Sequence, residues 1–253
     1  MRYVRHREVI RRLEAEGALS VEQLCAAAAV SPATMRRDLD ALASEGLIDR
    51  VRGGAVIRRA VDADTARPFA QVVTADADDK AAVARRAASL VDDGDVVLLD
   101  IGTTTMMLAR QLCGRPITVI TASLAVLDVL RDDPTVDLII LGGHVRRTYH
   151  SLVGALTEGA LRDVRANIAF LGASGVRPDG TVLDTTAVEV PVKRSLLRSA
   201  DRAVLLADRH KFPGAGVLRV CGIGDLGGVV TNAGADRATL DTARDAGVEV
   251  WTA

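Results

Sequence analysis

The sequence predicts an α/β protein in two parts: a small helical N-terminal unit closed by a β-hairpin, and a larger unit with a mostly parallel sheet. Three observations carry this. Helix start and stop signals crowd the first 57 residues. Beyond residue 75, apolar runs such as Val96-Val97-Leu98-Leu99 alternate with stretches of helical period, the pattern of strands covered on both faces. Between the two, from Arg58 to Thr74, periodicity fades into polar residues of mixed charge, as in a connecting segment. The predicted divisions are 1–57, a linker over 58–75, and 76–253.

Composition sets the limits. The 253 residues are 49% hydrophobic but only 2% aromatic, so a core must be built from Ala, Val and Leu. Net charge is -1 but uneven: residues 1–60 hold eleven Arg and no Lys against eight acidic residues, a net of +3, which points weakly to a polyanionic partner. Cys25, Cys113 and Cys221 are far apart and form no CxxC pair, as expected of thiols in a reducing compartment. The charged start lacks the apolar core of a signal peptide and no apolar run reaches membrane-spanning length, so a cytoplasmic protein without a membrane partner is expected.

In the first unit, Val9, Ile10 and Leu13 share one face of a helix from about Arg5 to Glu16, which Gly17 ends. Ser20-Val21-Glu22-Gln23 has the capping-box spacing and opens a second, short helix. Ser31 as N-cap and Pro32 at the first helical position open a third, with Met35, Leu39 and Leu42 as its buried stripe and Gly46 as its stop. Two short helices joined by a tight turn make a helix-turn-helix, whose second helix can enter the DNA major groove. Arg37 then points away from the core, flanked by Thr34 and Arg36, near the end that meets base edges or phosphates. Strands around Gly53-Gly54 complete a winged helix-turn-helix, with Arg50 and Arg52 beside the DNA backbone. The candidate DNA contacts are therefore Ser31, Thr34, Arg36, Arg37, Arg50 and Arg52. The stretch Val30-Ser31-Pro32-Ala33-Thr34-Met35-Arg36-Arg37-Asp38-Leu39, with Leu42, Gly46, Leu47 and Arg50-Val51-Arg52-Gly53-Gly54-Ala55, closely resembles the DNA-binding signature of DeoR-type bacterial repressors.

The larger unit reads as a Rossmann-like, mostly parallel α/β domain, in which ligands bind beyond the carboxyl ends of strands where strand order reverses. The most informative strand end is Asp100-Ile101-Gly102-Thr103-Thr104-Thr105. Glycine allows close approach of backbone, and a helix N-terminus with hydroxyls can cradle an anion. Asp100 could accept hydrogen bonds from sugar hydroxyls. Neither GxGxxG nor GxxxxGK[ST] occurs, so no nucleotide cofactor is expected, and His144, His150 and His210 lack metal-ligand spacing, so no metal is expected. Glu189 and Lys193 are four apart on a predicted helix, which alone suggests a surface ion pair.

This half also resembles the DeoR-type effector domain, similar in fold to ribose-5-phosphate isomerase. The matching pieces are Asp100 to Thr104, Thr121 with Ser123, Gly142-Gly143, Phe170-Leu171-Gly172, Glu189 with Lys193, and Ala207-Asp208 with Lys211-Phe212. The resemblance implies a non-enzymatic repressor of sugar-catabolic genes that senses a phosphorylated sugar. Gly102, Thr103, Thr104, Thr105 and Lys211 are the expected phosphate contacts, and Asp100, Thr121, Gly143, Glu189 and Lys193 the expected sugar contacts. Operator DNA and a second copy of the chain are the expected partners, since paired half-sites call for at least a dimer. The rival expectation is an isomerase-like enzyme with an added helix-turn-helix, in which Asp100, Glu189 and Lys193 would move protons.

Overall fold

The computed structural model describes residues 2–16, 18–44, 48–51, 53–57, 68–214 and 216–253. Gly17, Gly46, Arg52 and the stretch 58–67 lie outside the described residues. The chain divides into two compact units, 1–63 and 64–253.

The smaller unit runs α1 (Arg2–Glu16), β1 (Ala18–Ser20), α2 (Val21–Ala28), α3 (Pro32–Ser44), β2 (Ile48–Val51) and β3 (Gly54–Ile57). The capping box forms: Gln23 N–H donates to Ser20 Oγ at 3.2 Å and Ser20 N–H to Gln23 Oε1 at 2.8 Å. Ser31 Oγ accepts from Thr34 N–H at 3.3 Å, fixing the start of α3. Strands β2 and β3 pair antiparallel, turning at Gly53 with φ 83°. One addition lay outside the sequence reading: β1 pairs with β3 as a third strand. Gly54 permits this, because a Cβ there would overlap the Leu19 carbonyl. Val9, Leu13, Leu24, Met35, Leu39, Leu42, Ile48 and Ala55 form the core, including the whole predicted stripe of α3.

The larger unit continues with α4 (Phe69–Thr74), α5 (Ala77–Ala88), β4 (Val96–Leu99), α6 (Thr103–Leu112), β5 (Thr118–Thr121), α7 (Leu124–Leu130) and β6 (Asp137–Ile140). A hairpin follows, β7 (His144–Arg146) and β8 (Ser151–Val153), then α8 (Ala155–Arg162) and β9 (Ala166–Gly172). The rest is β10 (Gly175–Val176), β11 (Thr181–Asp184), α9 (Val190–Arg198), β12 (Ala200–Leu206), β13 (Leu218–Gly222), β14 (Gly228–Thr231), α10 (Arg237–Asp245) and β15 (Glu249–Thr252).

Seven strands make a parallel sheet in the order β15-β14-β12-β9-β4-β5-β6. Their side chains alternate between faces: Val97 and Leu99 pack with α5 and α6, while Leu98 packs with α8 and α9. From β4 the chain winds one way through β5 and β6, and from β9 the other way through β12, β14 and β15. The switch point is thus between β4 and β9, where helices leave in opposite directions and a crevice opens. A small antiparallel sheet, β10-β11-β13, brings the end of β11 toward that crevice.

The predicted linker requires one correction. Residues 69–74 are helical and Phe69 is buried in the main core. Six residues are too few to show a helical period, so the anchoring aromatic was not legible as one.

Candidate functional site

A cavity of about 330 Å³ opens at the switch point. Its wall combines the loop after β4 and first turn of α6 (Ile101 to Thr105), the loop after β9 (Gly172 to Ser174), the end of β11 (Asp184 to Thr186), and Lys211 beyond β12. Helix α6 begins at Thr103 without a side-chain cap at Gly102. Met106 N–H is the first to return to the helix, reaching Gly102 O at 3.0 Å, so the amides of Thr103, Thr104 and Thr105 have no intrahelical acceptor. Lys211 carries no ion pair among the described residues.

Of the ten expected effector contacts, seven line this cavity: Gly102, Thr103, Thr104, Thr105, Lys211, Glu189 and Lys193. Thr105 lines it with its hydroxyl already committed, donating to Asp100 O at 2.7 Å and Gly102 O at 2.9 Å. That hydroxyl shapes the turn.

Asp100, Thr121 and Gly143 are not in the wall. Asp100 is fully buried beneath it, and its Oδ2 accepts from Gly172 N–H at 3.0 Å and from the Lys193 ammonium. Its Oδ1 has no hydrogen-bond partner among the described residues. Thr121 is fully buried and donates to Leu99 O at 2.8 Å, tying β5 to β4. Gly143 is a packing glycine: a Cβ would overlap Thr157 Oγ1 and come within 3.0 Å of Val153 O. A strand-end position is shared by residues that face the crevice and residues that brace it, and linear sequence does not separate them.

The surface pair suggested by the spacing of Glu189 and Lys193 does not form. Glu189 pairs with Arg146, and Lys193 turns under the cavity to Asp100, to Gly172 O at 3.0 Å and to Asp184 Oδ2 at 3.6 Å. Burial pulls the Lys193 ammonium toward neutrality, but the Asp100 and Asp184 carboxylates outweigh it and raise its pKa. Lys193 is therefore a charged strut. Tyr149, also in the wall, has its phenol pKa raised chiefly by burial.

In the smaller unit, Ser31, Arg36 and Arg37 are exposed and Thr34 is half-buried. Ser31 and Thr34 hydroxyls lie 3.0 Å apart. Arg50 is tied back to α3, donating to Asp40 Oδ1 at 2.9 Å and Arg36 O at 3.2 Å, so it braces hairpin against helix. Arg52 lies outside the described residues. Asp38 is buried and accepts from Arg5 Nε at 2.5 Å. The Arg5 hydrogen bond holds its carboxyl below the ordinary aspartate range.

Comparison with known proteins follows the same division. Residues 5–60 match the DeoR-like helix-turn-helix domain, and residues 75–233 match the DeoR C terminal sensor domain. The chain belongs to the DeoR family. Among DeoR-family relatives, the glycerol-3-phosphate regulon repressor of Haemophilus influenzae is 32% identical over 88% of this chain and 86% of its own length. The HTH-type transcriptional regulator GolR of Listeria innocua is 28% identical over 98% and 97%. Among solved structures, ribose 5-phosphate isomerase A of Methanocaldococcus jannaschii is similar over 54% of this chain and 55% of that one, with 21% identity and a TM-score of 0.41.

Among the polar residues of this cavity in the DeoR-family chain that escaped the sequence reading are Lys80, Tyr149 and Asp184. For Asp184 a signal existed, since Val182-Leu183-Asp184-Thr185-Thr186 repeats the apolar-Asp-Thr composition of the β4 end. For Lys80 the signal was stronger. The chain has twenty-nine arginines and three lysines, Lys80, Lys193 and Lys211, and all three line this one cavity. Ammonium is a compact point charge where guanidinium is a planar fork, so lysine survives where the space suits it. Tyr149 sits in the hairpin after β7 and had no signal.

Proposed function

We propose that this DeoR-family regulator represses sugar-catabolic genes by binding operator DNA through α3, and that a phosphorylated sugar in the 330 Å³ cavity sets its operator affinity. The observation that supports the effector reading best is the convergence of the chain's three lysines on a cavity that also holds the uncapped first turn of α6. Open amides, the positive helix end and the Lys211 ammonium suit a phosphate group. Asp184 and Ser174 offer an acceptor and a hydroxyl for a polyol. Of the three groups an isomerase reading would use to move protons, Lys193 is held protonated between carboxylates, Asp100 lies buried beneath the wall and Glu189 is spent on Arg146. A sugar phosphate can change DNA binding only through unequal affinity for two arrangements of the protein. A single helix and wing make few base contacts, so the active species is at least a dimer.

The test uses a panel of triose, pentose and hexose monophosphates with the matching free sugars. Unfolding is followed by Trp251 fluorescence, and mobility shift uses a duplex selected from random-sequence DNA. A monophosphate at about 100 times its Kd should stabilise the larger unit by about 2.7 kcal/mol, without turnover, and change duplex affinity. Stabilisation by free sugars to the same degree, or conversion of the phosphate ester, would refute the reading.

A further inference from the structure

Lys80 differs from the other two lysines in what it holds. Its side chain leaves α5 and is only 4% exposed. The ammonium donates to Val72 O at 2.6 Å and to Ala75 O, carbonyls at the C-terminal end of α4. The residue after α4, Ala75, is extended at φ -70° and ψ 132°, and although Asp76 beyond it is left-handed at φ 51°, neither N–H returns to an α4 carbonyl among the described residues. Lys80 does that work, placing a cation where the helix dipole favours one.

Helix α4 depends on such support. Six residues are far below the length at which an isolated helix is stable in water. Its start is held by Phe69, edge-on to Tyr149 at 5.6 Å and stacked on His150 at 5.5 Å. Three of these holding points, Val72, Tyr149 and Lys80, line the cavity. In the chain, α4 is also the first described helix after the DNA-reading unit.

We propose that Lys80 is a ligand-operated latch: a phosphorylated ligand in the cavity draws its ammonium off the Val72 and Ala75 carbonyls, uncapping the helix Phe69–Thr74 that follows the tether to the DNA-reading unit. The inference rests on the proposed phosphate-ester site and adds how occupancy leaves it. A phosphate oxygen carries a negative charge that a carbonyl lacks, so its hydrogen bond with an ammonium is the stronger of the two. Phosphate oxygens in the cavity would thus compete with the Val72 and Ala75 carbonyls for the ammonium.

The experiment uses the full chain, wild type and Lys80→Met, with inorganic phosphate and the stabilising monophosphate of the panel. Amide hydrogen exchange is measured across residues 69–76 and across α6. In wild type, saturating monophosphate should speed exchange over 69–76 by about tenfold while slowing it at the start of α6, in the range of ordinary allosteric couplings. In Lys80→Met, exchange over 69–76 should be fast without ligand and insensitive to it, and duplex affinity without ligand should equal that of ligand-saturated wild type. The Trp251-monitored stabilisation reports separately that the monophosphate binds. Slowed or unchanged exchange over 69–76 in a wild-type protein that the monophosphate does stabilise would overturn the latch and leave the site standing; absence of stabilisation by every monophosphate would overturn both. The wild-type measurement needs no variant, so a misfolded Lys80→Met does not spare the proposal.

Discussion

Replacing Lys193 by methionine tests the strut beneath the cavity. The side chain keeps its reach but loses its charge, leaving Asp100 and Asp184, both buried, facing each other across apolar atoms. Asp100 then depends on Gly172 N–H, since its other oxygen has no partner among the described residues. Breaking a buried pair by removing one partner costs about 3–5 kcal/mol, and serving two carboxylates puts Lys193 toward the upper end. For a unit of 190 residues this lowers Tm by roughly 6–20 °C. Trp251 is the single tryptophan and lies in β15 of the larger unit, so its fluorescence follows the affected unit alone. Adding Asp100→Asn to Lys193→Met should recover part of the loss, because one uncompensated charge is gone. A Tm drop below about 2 °C at pH 7, or no recovery on adding Asp100→Asn, would refute the strut.

Other outcomes follow from the same geometry. Arg37→Ala, at an exposed position of α3, should weaken binding to the selected duplex by about 1–3 kcal/mol without altering monophosphate stabilisation; unchanged duplex affinity removes the recognition-helix assignment. Lys211→Met should abolish discrimination between a sugar phosphate and its free sugar while leaving Trp251-monitored stability within about 0.5 kcal/mol of wild type. Asp38 has a depressed folded pKa through Arg5, so its contribution is present above the unfolded value of about 3.9 and lost as pH falls through the folded one. Acid unfolding of the full chain, read by helical circular dichroism, should therefore lose this limb in Asp38→Asn. Gly143→Ala should destabilise the larger unit by about 1–3 kcal/mol through overlap with Thr157, and normal stability there would show that the β7 approach can widen.

Local chemistry was enough for the smaller unit. Ser20, Gln23, Ser31 and Pro32 act within one helical turn, and the alternation around Gly53 forces a hairpin, so start signals and strands can be read in order along the chain. The same holds for the β4 end, where a glycine and threonines open α6. Spacing misled at Glu189 and Lys193, because four residues on a helix describe proximity and say nothing of stronger partners arriving from elsewhere. Arg146 comes from a hairpin 43 residues away, and Asp100 lies 93 residues from Lys193.

By itself, the amino-acid sequence determined the division into a winged helix-turn-helix and a parallel α/β unit, the strand end whose glycine and threonines open α6, and the arginines left on the outside of α3. Those features depend on capping, periodicity and turn stereochemistry, which act over a few neighbouring residues. Tertiary structure alone decided which polar groups face the cavity and which brace it: Thr121 and Gly143 went to packing, Asp100 to an ion pair, and Lys80 to the end of a helix that the sequence did not announce. Burial is the reason, since a charge taken out of water must find its partner wherever the fold brings one.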